Sequence, residues 1–111
     1  MNRTLTYVFM FPGTYTADVD PYFTLPFDVQ LIHVSAQCIT QDATVIIYDD
    51  AVAVNDTLTV TAGTTPVTQD AIGDFVGDQF PHMLKGSVIK LDCAHGSNFV
   101  DLCVVLTMTE G

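Results

Sequence analysis

Three kinds of side chain in this 111-residue chain could do chemistry, and each needs neighbours that only a fold can supply. Cys93-Ala94-His95 sets a thiol and an imidazole two residues apart. A nucleophilic cysteine needs a base within hydrogen-bond reach and a third group to orient that base. The sharpest catalytic reading would use His33, His82 or His95 with a cysteine or a carboxylate, but one short motif near a turn supplies neither requirement, so no catalytic residue is assigned and no enzymatic activity is expected. Cys38, Cys93, His33 and His95 would form a soft metal site only if different strands brought them together. The acids Asp18 and Asp20, Asp49 and Asp50, and Asp74 with Asp78 sit in loop-like stretches, where hard cations such as calcium find carboxylate oxygens. None has the EF-hand spacing. The alternative for them is solvated turn acids that cap backbone N–H groups. Neither a metal nor a cofactor is therefore assigned, with Asp18, Asp20, Asp49 and Asp50 as the metal candidates to check.

A fourth group is aromatic. Tyr15, Tyr22, Phe23 and Phe27 crowd one loop-like stretch and could stack on sugar rings, plug an open end of the fold, or fill a contact with another subunit. No Gly-rich phosphate loop, nucleophile elbow or HExxH occurs.

The elements that must position these residues read as strands. Along 99–109, Val100, Leu102, Val104, Leu106 and Met108 alternate with Asp101, Cys103, Val105, Thr107 and Thr109, the period-2 pattern of one apolar and one mixed face. Residues 4–11 alternate likewise and stop at Pro12-Gly13. Residues 13–26 read as a packed loop holding at most a short strand. Residues 27–39 place Ile32, Val34, Ala36 and Cys38 on one face and Val29, Leu31, His33 and Ser35 on the other, so both faces are partly apolar. Ala43–Tyr48 follows, with 52–54 as its continuation or the far arm of a hairpin. Leu58 and Val60 alternate with Thr57, Thr59 and Thr61. Residues 64–83 are irregular, with a helical turn possible at 69–75. Lys85-Gly86 turns into a strand with Ile89, Leu91 and Cys93 on one face, and 94–98 reads as the turn of a hairpin into the last strand. The expectation is an all-β chain, a single domain over 1–111, folded as an antiparallel β-sandwich of jelly-roll type with about eight strands.

Composition narrows the partners. The chain is 49% hydrophobic and only 14% charged, and its 15 threonines supply much of the polar surface. Thirteen acids against Arg3, Lys85 and Lys90 give a formal charge of −10, which repels phosphate backbones and anionic lipid, so neither nucleic acid nor membrane is an expected partner. Three cysteines without CxxC spacing imply no disulfide framework and fit a reducing compartment. The N-terminal run alternates as a strand rather than reading as a signal peptide, so synthesis in the cytosol without export is expected.

The strand order carries a resemblance. Phe27-Asp28-Val29-Gln30-Leu31-Ile32-His33-Val34-Ser35-Ala36, Ala43–Asp50, Lys85–Asp92 and Asp101-Leu102-Cys103-Val104-Val105-Leu106 together resemble small jelly-roll virion proteins of tailed bacteriophages, of the capsid decoration or head-fibre type. In those proteins a V-x-V-S strand precedes a strand ending in an Asp-rich turn, and G-D-x-[IVL]-x-[LIV] and D-L-x-V-x-L strands follow. The matching runs lie between Phe27 and Leu106, about three quarters of the chain. Here Ser87 stands where the pattern has Asp, and Asp49-Asp50-Ala51 where it has Asn-Gly. The resemblance implies a structural protein at the capsid surface of a virion, made in the host cytoplasm. It would be a decoration (cement) protein, homo-oligomeric and trimeric by preference, that staples capsomers of the major capsid protein. Tyr15, Tyr22, Phe23 and Phe27 are its candidate contacts. A tail-fibre, baseplate-associated or carbohydrate-binding adhesion domain is the alternative.

Overall fold

The computed structural model describes residues 3–40, 43–63, 65–95 and 99–111. Its strands are β1 (Thr4–Thr14), β2 (Tyr22–Thr24), β3 (Val29–Gln37), β4 (Ala43–Asp49), β5 (Val52–Ala53), β6 (Leu58–Val60), β7 (Val67–Gln69), β8 (His82–Met83), β9 (Val88–His95) and β10 (Val100–Glu110). They form two five-stranded sheets. The first runs β1-β10-β3-β7 with β8 also on β3, and the second runs β2-β9-β4-β5 with β6 also on β4. All pairings are antiparallel. β5 and β6 share one edge position and β7 and β8 another, so ten segments occupy eight positions. The chain alternates between sheets in the order of two interlocked Greek keys, which is a jelly roll.

Alternation builds the core. Leu102, Val104, Leu106 and Met108 of β10 face Val45 and Ile47 of β4 and Ile89, Leu91 and Cys93 of β9 in one buried cluster. Each fully buried aliphatic side chain contributes about 2 kcal/mol by leaving water. On β6, Leu58 and Val60 are buried while Thr59 is exposed, as its pattern requires.

Three local readings change. In β3 the pairs Thr107–His33 and Met108–Leu31 leave Ile32 as an extra residue, a β-bulge. The bulge reverses the inward phase, so Val29 and Leu31 on one side of it and Val34, Ala36 and Cys38 on the other are all buried. The two partly apolar faces expected of 27–39 are thus one core face with a step in it. β9 and β10 do not form a hairpin, because β9 lies between β2 and β4 and β10 between β1 and β3. Their connection crosses from sheet to sheet; Ala94 and His95 extend β9, and the rest of the expected turn, residues 96–98, lies outside the described residues. Residues 52–54 resolve as the far arm of a hairpin, with Asp49 opposite Val52. The helical turn expected at 69–75 shrinks to one 3-10 turn, Ile72–Asp74, after the short β7.

Candidate functional site

The loop aromatics are placed by β1 and β2, the adjacent edges of the two sheets. Phe23 points inward from β2 and stacks on Tyr7 and Phe9 of β1, with centroids 4.3 and 5.7 Å away. Tyr15 lies against Phe99 at 5.4 Å and meets Phe11 edge-on. Phe27 lies under the Arg3 guanidinium, 4.2 Å from the ring centroid, and Arg3 also pairs with Glu110. These three rings are engaged within the chain. Tyr22 is different: it points outward and is 74% exposed. In register with it, Lys90 and then Tyr48 complete a row across the second sheet, with the Lys90 ammonium 5.5 Å from the Tyr48 ring.

Backbone bonding explains why that loop packs. Val19 and Cys93 exchange N–H···O bonds of 3.1 and 2.9 Å, and Leu91 N–H donates to Pro21 C=O at 2.9 Å. The segment therefore rides along β9 and brings Asp18 and Asp20 towards Asp92. Burial, then the Asp20 carboxylate and its hydrogen bond, then Asp18, push the Asp92 carboxyl above its ordinary value.

The other acids act on the backbone. Asp50 Oδ1 accepts from Val88 N–H at 2.8 Å, and Asp49 hydrogen-bonds Ser87 while burial and the neighbouring Asp50 hold its carboxyl above the ordinary value. Asp74 Oδ2 accepts from Asp70 and Ala71 N–H, both at 3.1 Å. Among the described residues no group of three His, Cys, Asp or Glu side chains is arranged to hold a metal ion.

The sheets keep the described imidazole candidates, His33 and His82, away from Cys93. Cys93 is fully buried and faces the core, where burial and then Asp92, Asp20 and Asp18 push its thiol up to about 12. A thiol so placed stays protonated at neutral pH and is no nucleophile. Cys38 is also buried, with Sγ donating to Val60 C=O at 3.8 Å. His33 pairs with Thr107 on the outer face of the first sheet and His82 is exposed on β8, so neither approaches Cys93. The side chain of His95 lies outside the described residues.

What residue-type patterns missed is a surface. The outer face of the first sheet is a grid of cross-strand rows: Thr4–Thr109–Gln30, Thr6–Thr107–His33, Val8–Val105–Ser35 and Met10–Cys103–Gln37. No member carries a formal charge. Val8 and Met10 are 54% and 71% exposed, and a depression of about 130 Å³ opens beside Met10, Phe11, Pro12, Asp101 and Cys103. The signal was present in the non-core residues of strands 4–11 and 99–109, but only the order β1-β10-β3 turns it into a continuous face.

No protein-family profile matches the chain and no curated protein matches it. Among solved structures, one described as the EclA C-terminal domain, a sugar-binding protein, is similar over 93% of this chain and 78% of its own, with a TM-score of 0.48 and 13% identity. Structures of infectious bursal disease virus, Gx and Gt strains, cover 99% and 98% of this chain and 33% of theirs, with TM-scores of 0.37 and 0.39 and identities of 14% and 10%.

Proposed function

We propose that this chain is a structural virion protein of a tailed bacteriophage, a decoration (cement) protein that binds as a homo-oligomer between capsomers of the major capsid protein. The sequence resemblance supplies the class. The observation that carries the reading is the uncharged, Thr-rich outer face of the first sheet on a chain of net charge −10. Depletion of charge at the centre of a patch is what marks a protein interface, more than bulk hydrophobicity does. Val8, Met10 and Val105 supply its apolar centre and the threonine hydroxyls its hydrogen bonds, while acids at the loops reach basic groups at the rim. The test is a mixture of purified protein with heads stripped of decoration. Saturable binding that Val105→Lys weakens at least about tenfold and Thr59→Lys leaves unchanged supports the reading. No binding to such heads at any salt concentration disposes of it.

A second reading rests on the row Tyr22–Lys90–Tyr48. An exposed ring beside a cation and acids is a platform on which a sugar can stack and hydrogen-bond, as in an adhesion module. Glycan-array binding that is lost in Tyr22→Ala favours this reading; an array without hits removes it.

A further inference from the structure

The free edges of the two sheets are unequal. β2, β5, β6, β7 and β8, which form three of the four edges, are two or three residues long. Shortness protects an edge from pairing with another chain. The fourth edge is β1, 11 residues long, and from Thr4 to Phe11 it has no charged residue, no proline and no bulge. The usual guards against edge-to-edge association are missing where the strand is longest.

The ladder shows which groups that edge offers. Glu110 N–H donates to Arg3 C=O at 2.7 Å, which makes this the hydrogen-bonded kind of antiparallel pair. Bonded pairs recur at every second residue, so Leu5, Tyr7, Phe9 and Phe11 bond to β10. Thr4, Thr6, Val8 and Met10 therefore turn their N–H and C=O groups to the open side. Among the described residues, no other segment is hydrogen-bonded to that side of Thr4–Met10.

We propose that β1 pairs with β1 of a second copy of this chain, antiparallel about a two-fold axis at Tyr7, so that the first sheets of both copies become one. In that register Thr4 lies opposite Met10 and Thr6 opposite Val8 across the axis, which satisfies all the open-side groups of the four residues at once. Pairing ends with Arg3 opposite Phe11, just before Pro12, whose missing N–H would break the ladder. Two copies of net charge −10 repel over most of their surfaces, but this seam brings no like charges together. At each of its ends Arg3, 65% exposed, arrives beside the turn where Asp101 accepts from Gly13 N–H, an opposite-charge match. Leu5, Tyr7 and Phe9, only half-buried in one copy, would gain cover from their symmetry mates. A two-fold seam builds dimers or assemblies of dimers, where the resemblance implied trimers. The proposal rests on the edge alone and stands or falls apart from the virion reading.

Light scattering on the purified 111-residue chain should give twice its 12.1 kDa mass, and amide hydrogen exchange should show Thr4, Thr6, Val8 and Met10 protected along with their neighbours. A face-to-face assembly would leave those four amides fast. Val8→Pro removes one open-side donor without touching the β10 ladder and should raise the dimer dissociation constant at least about tenfold with the β-sheet circular dichroism retained. A monomer at micromolar concentration, an oligomer whose four edge amides exchange fast, or a folded Val8→Pro variant with unchanged dimer affinity overturns the proposal. If Val8→Pro does not fold, the exchange pattern of the unaltered chain decides alone.

Discussion

Asn55 is the polar side chain whose loss the fold should tolerate least. It is 2% exposed, and its Oδ1 accepts from Ile47 N–H at 2.7 Å. Its Nδ2 donates to Gln69 Oε1 at 2.8 Å, and Gln69, 5% exposed, passes the chain on by donating to Asp56 C=O at 2.8 Å. Ile47 belongs to the second sheet and Gln69 to the first, so this amide relay ties the sheets together where β5, β6 and β7 form the short edges. Asn55→Ala leaves a buried N–H and a buried amide oxygen without partners. Each such orphan costs about 1–3 kcal/mol, and Gln69 can relieve part of its share by rotating, so the net loss is about 3 kcal/mol. For a domain of this size that lowers Tm by about 12 °C. The assay is urea unfolding followed by circular dichroism, with Thr59→Ala on the exposed face of β6 as the control, expected within about 0.5 kcal/mol of the parent. Asn55→Ala combined with Gln69→Ala should cost less than the sum of the two single changes, because the second change removes one of the orphans. A loss for Asn55→Ala no larger than the control's, or strict additivity in the double variant, would refute the relay.

Two further outcomes follow from local geometry and charge. Asp50 and Ala51 join β4 to β5 with φ of 47° and 72°, the two-residue turn that calls for glycine at its second position, so Ala51→Gly should raise unfolding stability by about 0.5–1 kcal/mol in the same urea assay; a loss would count against the turn geometry. Asp92 and Asp49 have carboxyls held above the ordinary 3.8 in the folded state, chiefly by burial and then by the nearby acids. Such groups favour folding when protonated, and that contribution is lost as pH rises from the ordinary value through the folded one. Asp92→Asn should therefore flatten the fall in stability as pH rises above about 4, measured as urea midpoints against pH; a steeper fall would reverse the assigned sign.

How much of this was legible in sequence divides along physical lines. Strands with one phase were read correctly, because side-chain alternation is local: Leu102, Val104, Leu106 and Met108 are buried as the rhythm of 99–109 requires. Where the phase steps, at Ile32, the rhythm splits into two half-apolar faces, and only the pairing with β10 shows that both belong to one core. The hairpin read between β9 and β10 failed for a related reason. A turn signal fixes that the chain reverses, but which sheet it returns to depends on partners distant in sequence, here β1 and β3 against β2 and β4. Asn55 and Gln69 were invisible as a pair, since Asn55-Asp56 carries a turn signal and nothing local links it to residue 69. Of the loop aromatics, their closeness in sequence was readable, but their separate partners, and that Tyr22 alone points outward from a three-residue strand on β9, depended on the fold.

The acids connect composition to surface. Asp28 accepts from Lys85 N–H at 2.8 Å, Asp50 from Val88 N–H at 2.8 Å, Asp101 from Gly13 N–H at 2.6 Å, and Asp74 caps the start of the 3-10 turn. In each case a carboxylate oxygen is committed to a backbone donor at a turn or strand end, where an open ladder leaves N–H groups that must find acceptors. An oxygen so used offers less to a hard cation, whereas Asp18 and Asp20 gather towards Asp92 instead. The same placement keeps negative charge off the outer rows of the first sheet. A jelly roll of net charge −10 can then keep one broad sheet face and one long edge free of charge, the two places on its surface where a second molecule of like charge would meet least electrostatic resistance.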